Sequence, residues 1–407
     1  MDLLQPIIKP YAWGSHEALA RLQGREVPSA GPEAELWMGA HPSGPAGLTR
    51  RGRATTLLDV VARAPRRELG TSCARLFGDR LPFLLKVLAA ERPLSIQVHP
   101  DRNQARSAYA AQQAGGGSGP YADDWPKPEL LVALSSFEVL AGFRDPAEAA
   151  RLLAGLGVDA LRPVVELLRA GTDESVLSEA LGAVLERAPA ERAPLVSAVV
   201  AASRRLARSA GADASAYGVV ERMSHHYPGD LGLVASLLLD HRVLEPGEAL
   251  FMPPGGLHAY VRGVGVELLA NSDNVLRAGL TAKEVNVREL LRVTDPAVRV
   301  PVVTPTRVPG PGPTWLYDCP VAEFSLHRVE LDGTGGPLVP ATGPRVVFCP
   351  DGSVRLRSEA GGTKPLRLGP GDCCFLPASD EDIVAEGTGT LCAAGVGHSP
   401  DEHGALA

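Results

Sequence analysis

The sequence predicts a mainly β protein with a helical insertion, built from two β-barrel modules and an α-helical domain. Short apolar runs bounded by Pro and Gly turns, which are typical of strands, recur before residue 145 and after residue 240. Between these positions the sequence is rich in Ala, Leu, Arg and Glu, and apolar residues recur at helical spacing, as in Ala149, Leu152, Leu153 and Leu156. This change of pattern predicts a bundle of several helices inserted into the β structure.

An internal repeat indicates that the two β modules are of one kind. The segment Leu244–Pro253 has residues of the same type as Leu368–Pro377 at six of ten positions. Each segment reads as a turn, a short strand and a second turn. The second module carries Asp382 where the first carries His258, and it has no nearby Gln-x-His sequence. We therefore expect the second module to be metal-free and structural.

Composition excludes several classes of protein. The chain has 407 residues, enough for two or three domains, and 45% of them are hydrophobic. The formal net charge of -7 argues against a general nucleic-acid binder. No segment has the length and apolarity of a membrane span. The first ten residues lack the basic and apolar regions of a secretory signal.

Cysteine usage favours a reducing compartment. No two of the cysteines form a Cys-x-x-Cys pair, so neither a zinc ribbon nor a thioredoxin-type site is indicated. The cysteines are Cys73, Cys319, Cys349, Cys373, Cys374 and Cys392. We expect reduced thiols and a cytoplasmic location. Because Cys373 and Cys374 are adjacent in a predicted strand, at most one of them should face the core.

Lysine is rare in this chain. Of the 40 basic residues, only five are lysines. They are Lys9, Lys86, Lys127, Lys283 and Lys364. Arginine serves as well as lysine for surface charge, so the remaining lysines are candidates for tasks that need a compact charge or a group that can lose its proton.

A predicted strand presents the first pair of candidate metal ligands. Residues 94–98 alternate between apolar and polar types, and Pro100 ends the strand because proline cannot donate to the ladder. Gln97 and His99 are two residues apart and should project from the same face. The alternative interpretation is an edge strand whose polar residues face water.

Two further segments supply the other candidates. Lys127 and Glu129 alternate with prolines in an extended approach to the apolar run 130–134, so their side chains should face the same way. A surface ion pair is the alternative. His258 follows the tight turn of residues 253–256, as a metal ligand at the mouth of a small β-barrel would, although a core hairpin with a histidine has the same pattern.

The four candidates together form a plausible ligand set. Gln97, His99, Glu129 and His258 offer two imidazole nitrogens and two side-chain oxygens. This set suits Zn²⁺ in a catalytic site, with water or substrate completing the shell. Mn²⁺, Fe²⁺ or Co²⁺ would also fit. The neutral Gln ligand keeps the site more positive, and so the metal a stronger Lewis acid, than three carboxylates would.

At this point the sequence resembles the type I mannose-6-phosphate isomerases (phosphomannose isomerases) over nearly its whole length. The segments that carry the resemblance are Tyr11–Gly14, Glu35–Gly39, Ser95–Pro100, Lys127–Glu129, Gly256–Tyr260 and Ser272–Thr281. The resemblance implies a cupin-type (jelly-roll) fold with a helical insertion and a C-terminal β-domain. It implies one zinc ion, held by Gln97, His99, Glu129 and His258, and a catalytic arginine at Arg277. The implied reaction interconverts mannose 6-phosphate and fructose 6-phosphate through a cis-enediol.

On this basis the chain divides into four segments. Residues 1–144 form the N-terminal part of the catalytic module, and residues 145–238 form the helical insertion. Residues 239–295 complete the catalytic module with His258 and Arg277. Residues 296–407 form a degenerate, cupin-like β-domain.

The chemistry of the reaction suggests roles for further residues. Moving a proton between C1 and C2 needs a general acid/base, for which Lys127 is the leading candidate, Glu267 the rival and Asp273 a weaker one. An arginine, unlike a lysine beside a metal, does not lose its proton. Arg277 should stabilise the enediolate charge or orient hydroxyl groups. Its alternative role is a structural ion pair with Asp273, four residues earlier.

The substrate suggests the remaining candidates. A phosphate dianion on an acidic protein requires a local basic cluster. The candidates for it are Ser95, Lys86 and Lys283, with Arg144 more remote. We expect Trp13, Glu35 and Tyr260 to form the wall or floor of the sugar pocket. We assign His225 and His226 to structural or surface positions.

Two alternatives come from other functional classes. A cupin dioxygenase with iron would be expected to show a His-x-His pair and no basic cluster for phosphate. A non-catalytic sugar-phosphate sensor would be expected to lack a metal ligand or the arginine. We expect a sugar phosphate as the only partner, with no nucleic acid and no membrane, and a monomeric protein.

Overall fold

The computed structural model describes residues 1–171, 173–209, 211, 213–360 and 364–397. Its strands are β1 (Asp2–Gln5), β2 (Ile7–Lys9), β3 (Glu35–Met38), β4 (Gly47–Arg50), β5 (Arg53–Thr56), β6 (Phe83–Ala90), β7 (Ile96–Val98), β8 (Glu129–Ala133), β9 (Phe137–Phe143), β10 (Leu239–Leu244), β11 (Ala249–Met252), β12 (His258–Ala270), β13 (Leu276–Gly279), β14 (Val302–Val303), β15 (Thr306–Val308), β16 (Thr314–Tyr317), β17 (Ser325–Pro337), β18 (Arg345–Ser358), β19 (Leu366–Leu368), β20 (Cys373–Leu376) and β21 (Ile383–Gly395). Its helices are α1 (Ala18–Leu22), α2 (Leu57–Arg63), α3 (Pro65–Phe77), α4 (Arg102–Ala114), α5 (Pro146–Gly155), α6 (Arg162–Ala170), α7 (Ser175–Leu185), α8 (Pro189–Leu206), α9 (Ala214–Ser224), α10 (Gly232–Ala235) and α11 (Val287–Val293), with short 3-10 turns at Asp159–Leu161 and Ser236–Leu238.

The described strands form two sheets. The first has eleven strands and contains β2, β3 and β6 to β14. Its long strand β12 pairs with β7 and β9 near its start and with β6 and β8 along the rest of its length. The second sheet has ten strands and combines β15 to β21 with β1, β4 and β5 from the start of the chain. This mainly β architecture with a helical insertion is the predicted fold class.

Strand pairing within the second sheet joins residues from the first and the last of the predicted segments. Strand β1 pairs with β20 on one side and with β4 on the other, so the first residues of the chain add to the C-terminal sheet. A shared apolar core lies between the two sheets and includes Met38, Phe83, Leu268, Phe348 and Phe375. The division into four segments therefore stays a prediction. The two β modules share one apolar core.

The internal repeat corresponds to matching local structure. Strands β10 and β11 are joined by a turn at Gly247, and β19 and β20 by a turn at Gly371. Both glycines have positive φ, +91° and +86°, a conformation that other residues adopt only with strain. The next strand after β11 is β12, and the next after β20 is β21, and each of these two strands is 13 residues long.

The helices from α5 to α10 cover one face of the first sheet. Their apolar residues, including the predicted Ala149, Leu152, Leu153 and Leu156, are buried in one cluster. The same cluster contains residues of β7, β9, β12 and β13, which are Ile96, Val98, Leu140, Ala259, Leu276 and Ala278. Because strand side chains alternate, this packing leaves the opposite face of these strands for polar residues. None of the described helices combines the length and apolar character needed to cross a membrane.

One expectation about the second module was wrong. Cys373 and Cys374 are both fully buried, although successive strand residues point to opposite faces. Cys373 packs in the core between the two sheets, and Cys374 packs in a separate core inside the second module. Strand β20 is covered on both faces, and the alternation of side chains along a strand does not predict this.

Candidate active site

Three adjacent strands place polar side chains in one row on the inner face of the first module. Gln97 on β7 lies opposite His258 on β12 and opposite Arg277 on β13. Residues directly opposite each other on paired strands project from the same face of the sheet. The intervening residues Val98 and Ala259 pack against the helices instead. The alternation predicted for this region therefore separates a helix-facing side from a polar, inward-facing side.

The most compact group on the polar side consists of His99, Glu129 and His258. One ligand atom from each residue lies within 4.8 Å of the others, and all three side chains are buried. Nε2 of His258 is 3.2 Å from one oxygen of Glu129, and Nε2 of His99 is 3.4 Å from the other. This group contains three of the four predicted metal ligands, and the fourth, Gln97, is the strand neighbour of His258.

Both histidines are oriented so that Nε2 faces Glu129. Nδ1 of His99 donates to the backbone carbonyl of Asn274 at 2.6 Å, and Nδ1 of His258 donates to that of Gly256 at 3.2 Å. Nε2 of His99 is buried and has no hydrogen-bond partner among the described residues. A buried nitrogen lone pair facing a carboxylate and a second imidazole is the donor set expected of a zinc site.

The charges of these groups match that role. Burial and, to a lesser extent, the nearby Lys127 cation lower the pKa of His99 to about 4, so the imidazole is neutral at neutral pH. Burial alone would raise the pKa of Glu129, but Lys127 and the two histidines outweigh it and hold the pKa well below its usual range. Nζ of Lys127 forms an ion pair with Glu129 at 2.9 Å, in agreement with the predicted common orientation of the two side chains.

A second polar group lies beside the first. Nζ of Lys86 is 3.2 Å from Glu267 and 3.7 Å from Glu35, and the hydroxyl of Tyr260 donates to Glu267 at 2.8 Å. Burial alone would lower the pKa of Lys86, but the surrounding carboxylates outweigh it and raise the pKa. Burial and the neighbouring carboxylates raise the pKa of Glu267, with Lys86 opposing them. The structure thus brings together four predicted site residues from β3, β6 and β12.

Comparison with known proteins identifies the family of the chain. The model of the phosphomannose isomerase type I catalytic domain matches residues 1–146. The mannose-6-phosphate isomerase of Escherichia coli K12 is 35% identical over 403 residues, which cover 96% of this chain and 98% of the relative. The chain belongs to the type I phosphomannose isomerase family. The predicted resemblance and the predicted enzyme class are confirmed.

Other members of the phosphomannose isomerase family agree with this assignment. A human mannose-6-phosphate isomerase is 32% identical over 80% of this chain and 81% of its own. A crystal structure of a phosphomannose isomerase from Salmonella typhimurium covers 98% of this chain and 100% of its own, with a TM-score of 0.88 at 31% identity. A zinc-bound mannose 6-phosphate isomerase structure gives a TM-score of 0.87 at 31% identity, covering 98% of this chain and 99% of its own.

Arg277, the predicted catalytic arginine, has no ion-pair partner among the described residues. Its side chain is half-buried, and no carboxylate of the described residues lies within ion-pair distance of it. The alternative ion pair with Asp273 is not formed. Asp273 is instead largely exposed, accepts a hydrogen bond from Ser43 Oγ at 3.0 Å, and lies 3.5 Å from Nε2 of His41.

The remaining phosphate candidates are dispersed. Ser95 directly precedes β7 and is partly exposed. Lys283 is exposed and lines a cleft of about 410 Å³, together with Asp230 of the helical region. Arg144 is buried and paired with Glu148 at 2.8 Å. No hydrogen bond or ion pair of the described residues joins Ser95, Lys283 or Arg144 to Lys86.

An aromatic wall borders the site. Trp13 is partly buried against the apolar cluster that contains Tyr260, and it stacks on Tyr11 at 5.7 Å between ring centroids. Tyr11 was not predicted as a site residue. Burial raises its pKa, and the charges of Glu35, Lys86 and Asp273 also act on it, which places the phenol at the edge of the polar groups.

Sequence reasoning also missed His41 and Asn274. His41 is buried and faces Asp273, while its Nδ1 accepts a hydrogen bond from the backbone of Ser43. Asn274 orients His99 through its backbone carbonyl. Both residues lie within or beside sequence segments that resemble the family, but neither has a residue type and spacing that would single it out without its distant partners.

Proposed function

We propose that the protein interconverts mannose 6-phosphate and fructose 6-phosphate with one zinc ion held by Gln97, His99, Glu129 and His258. The observation that carries the proposal is the buried group of His99, Glu129 and His258, whose nitrogen and oxygen ligand atoms lie within 4.8 Å of one another in a chain of this family. Bound zinc would act as a Lewis acid that favours negative charge on the sugar oxygens near C1 and C2. The remaining steps belong to the side chains of the protein.

We assign proton transfer between C1 and C2 to Lys127, with Glu267 as the rival. Lys127 is buried and forms an ion pair with the proposed ligand Glu129 at 2.9 Å, so its amino group lies at the edge of the metal site. Glu267 has both oxygens occupied, one by the hydroxyl of Tyr260 and one by Lys86. A base that must first give up two hydrogen bonds is less available than an amine with one carboxylate partner, so we favour Lys127.

We assign charge stabilisation to Arg277 and enclosure of the sugar to Trp13, Glu35 and Tyr260. No carboxylate of the described residues balances the charge of Arg277, whereas Lys86 already faces two. This difference favours Arg277 as the group that meets the enediolate. It also weakens Lys86 as a phosphate ligand, so Ser95 and Lys283 stay the phosphate candidates. Asp273, which is mostly solvated, is the least favoured proton carrier.

We also propose a monomeric, cytoplasmic protein. All six cysteines are buried thiols without disulfide partners, as expected in a reducing compartment. Light scattering coupled to gel filtration would test the oligomeric state, with one chain of 42.6 kDa expected.

The decisive experiment measures isomerase activity of the metal-stripped protein with and without added Zn²⁺. We expect activity to require zinc and to be lost in His258→Ala even with zinc present. His225→Ala is the matched control, because His225 is exposed at the end of α9. A protein that binds the sugar phosphate but turns over none of it with any divalent metal would overturn the proposal in favour of a sensor.

A further inference from the structure

Two segments distant in the sequence are joined by the buried side chain of Asn274. Its Oδ1 accepts hydrogen bonds from the backbone of Ala122 at 2.8 Å and of Asp123 at 3.3 Å. Its Nδ2 donates to the carbonyls of Asp123 and Trp125, both at 2.8 Å. The side chain is 1% exposed, and the amide uses both its donor and its acceptor capacity within the protein.

A serine and an aspartate complete this contact, which we call the 123–274 clamp (Asp123, Ser272 and Asn274). The carboxylate of Asp123 accepts from Ser272 Oγ at 2.8 Å and from the backbone of Asp273 at 2.9 Å. Ser272 Oγ in turn accepts from the backbone of Asn274 at 3.1 Å. The peptide groups on either side of residue 273 are therefore fixed relative to residues 122–125.

The clamp acts on His99 through one backbone carbonyl. The carbonyl of Asn274 accepts from Nδ1 of His99 at 2.6 Å, across 175 residues of sequence. His258 obtains the equivalent bond from Gly256, only two residues away in a tight turn. The orientation of His258 is thus set locally, whereas that of His99 depends on where the distant residue 274 is held.

The same clamp lies next to the segment that carries two other site residues. From Trp125, whose carbonyl accepts from Asn274, the chain reaches Lys127 and Glu129 through two prolines that restrict the backbone. A displacement of residues 122–125 would therefore be transmitted to Glu129 as well as to His99. The 123–274 clamp therefore holds both His99 and Glu129, two of the three buried ligands, in place relative to each other.

We propose that Asn274, held by Asp123 and Ser272, is a positioning residue that determines zinc affinity by orienting His99 toward the metal. The inference rests on the proposed zinc site. Partners that orient a metal-ligating histidine typically contribute about 10–100-fold in affinity. A merely structural role would lower stability and leave the affinity for zinc unchanged.

The test compares zinc dissociation constants of metal-stripped proteins, measured by competition with a chelator. Asn274→Asp keeps the shape of the side chain but replaces the donor that faces the carbonyls of Asp123 and Trp125 with an acceptor. We expect the Kd for zinc to rise about 10–100-fold. Ser272→Ala is a milder variant, for use if Asn274→Asp does not fold. It removes the hydroxyl that bonds to Asp123 and to the backbone of Asn274, and the Kd for zinc should rise about three- to tenfold.

Asn271→Asp is the matched control. It makes the same chemical change in the same loop, where the side-chain amide of Asn271 donates to the carbonyl of Leu81 at 3.2 Å and not to the side chains of the clamp. Its Kd for zinc should equal that of the wild type. The visible absorption of the Co²⁺-loaded proteins provides a second readout, because it responds to ligand geometry. We expect an altered spectrum for Asn274→Asp only.

Three results would overturn the inference. Asn274→Asp and Ser272→Ala could bind zinc, and absorb with Co²⁺, as the wild type does. Alternatively, Asn271→Asp could weaken zinc as much as Asn274→Asp, which would indicate a general effect of the loop. A wild-type protein that binds no zinc would overturn the proposed metal site as well, so failure of the function is distinguishable from failure of the clamp.

Discussion

At the scale of single residues, the environment of Arg277 is the most informative. Burial lowers the pKa of this guanidinium, and no carboxylate of the described residues offsets the loss of hydration. Its strand neighbour is Gln97, a candidate metal ligand. A cation that is partly desolvated beside a metal site, with no carboxylate partner in the described part of the chain, is suited to an anionic group supplied by the substrate.

We therefore predict that Arg277→Gln lowers kcat by about 10²–10³-fold, as removal of a transition-state donor does. The thermal unfolding midpoint should not fall, since no ion pair is lost. Steady-state kinetics and thermal unfolding provide the measurements, with Arg262→Gln, an exposed arginine on β12, as control. A variant that keeps its kcat but unfolds at lower temperature would assign Arg277 a structural role.

The identity of the proton carrier gives a second prediction. Lys127→Gln should lower kcat by about 10²–10⁴-fold, the usual contribution of a general acid/base. Glu267→Gln keeps an acceptor for Tyr260 and should have the smaller effect on kcat. The measurement is turnover, together with deuterium incorporation at C2 of the sugar in D₂O, at zinc concentrations that saturate each variant. The opposite ranking would transfer the role to Glu267.

Residue-level prediction succeeded where spacing alone defines geometry. The two-residue spacing of Lys127 and Glu129 predicted that their side chains face the same way, and the two form an ion pair. The common orientation of Gln97 and His99 stays a prediction. Residue-level prediction failed for Asn274, whose role depends on hydrogen bonds to residues about 150 positions earlier. No local pattern encodes such a contact, because the residues meet only when the two loops fold together.

At the scale of elements, the sequence predicted the repeated turns before β11 and β20 but not the burial of strand β20 on both faces. The Pro-Gly sequence predicted both turns, and the two glycines do share positive φ. The burial of both Cys373 and Cys374 was not predicted, because coverage of a strand on its second face depends on neighbouring elements. Local conformation can thus be inferred from a few residues, while burial requires the assembled sheets.

We predict that Gly371→Ala destabilises the protein by about 1–3 kcal/mol, the cost of holding a residue other than glycine at positive φ. An added Cβ would also lie 3.0 Å from Cα of Gln23, a contact that backbone atoms cannot relieve easily. Gly369→Ala is the matched control, since its Cβ would meet only a side-chain oxygen of Asp372 at 3.7 Å. Urea unfolding measures the difference, and equal stability of the two variants would contradict the prediction.

At the scale of the whole molecule, the helical insertion is attached to the catalytic sheet by apolar packing and by several polar contacts, of which the junction at Glu138 is one. Glu138 on β9 accepts from Nε2 of His241 on β10 at 2.8 Å and pairs with Arg222 on α9. The helices of this region bury the outer face of the strands that carry Gln97, His258 and Arg277. The junction therefore supports the face of the sheet opposite the site.

The charge of this junction predicts a pH dependence of stability. Burial alone would raise the pKa of Glu138, but its hydrogen bond with His241 and the charge of Arg222 outweigh it, so the pKa in the folded protein is lowered. A depressed folded pKa contributes stability that is present above the unfolded pKa, near 4.5, and is lost as the pH falls through the folded value. We predict that Glu138→Gln lowers the free energy of unfolding by about 1–3 kcal/mol at neutral pH. The difference from wild type should shrink between about pH 5 and about pH 3.

Urea unfolding followed by fluorescence at a series of pH values measures this difference. Glu245→Gln, which removes an exposed carboxylate just after β10, controls for the loss of one negative charge. Its free energy of unfolding should follow that of the wild type at every pH. If the wild type and Glu138→Gln instead differed by a constant amount down to the lowest pH, the contribution of Glu138 would be one of shape and not of charge. The charge of Glu138 would then make no contribution to holding the insertion on the sheet.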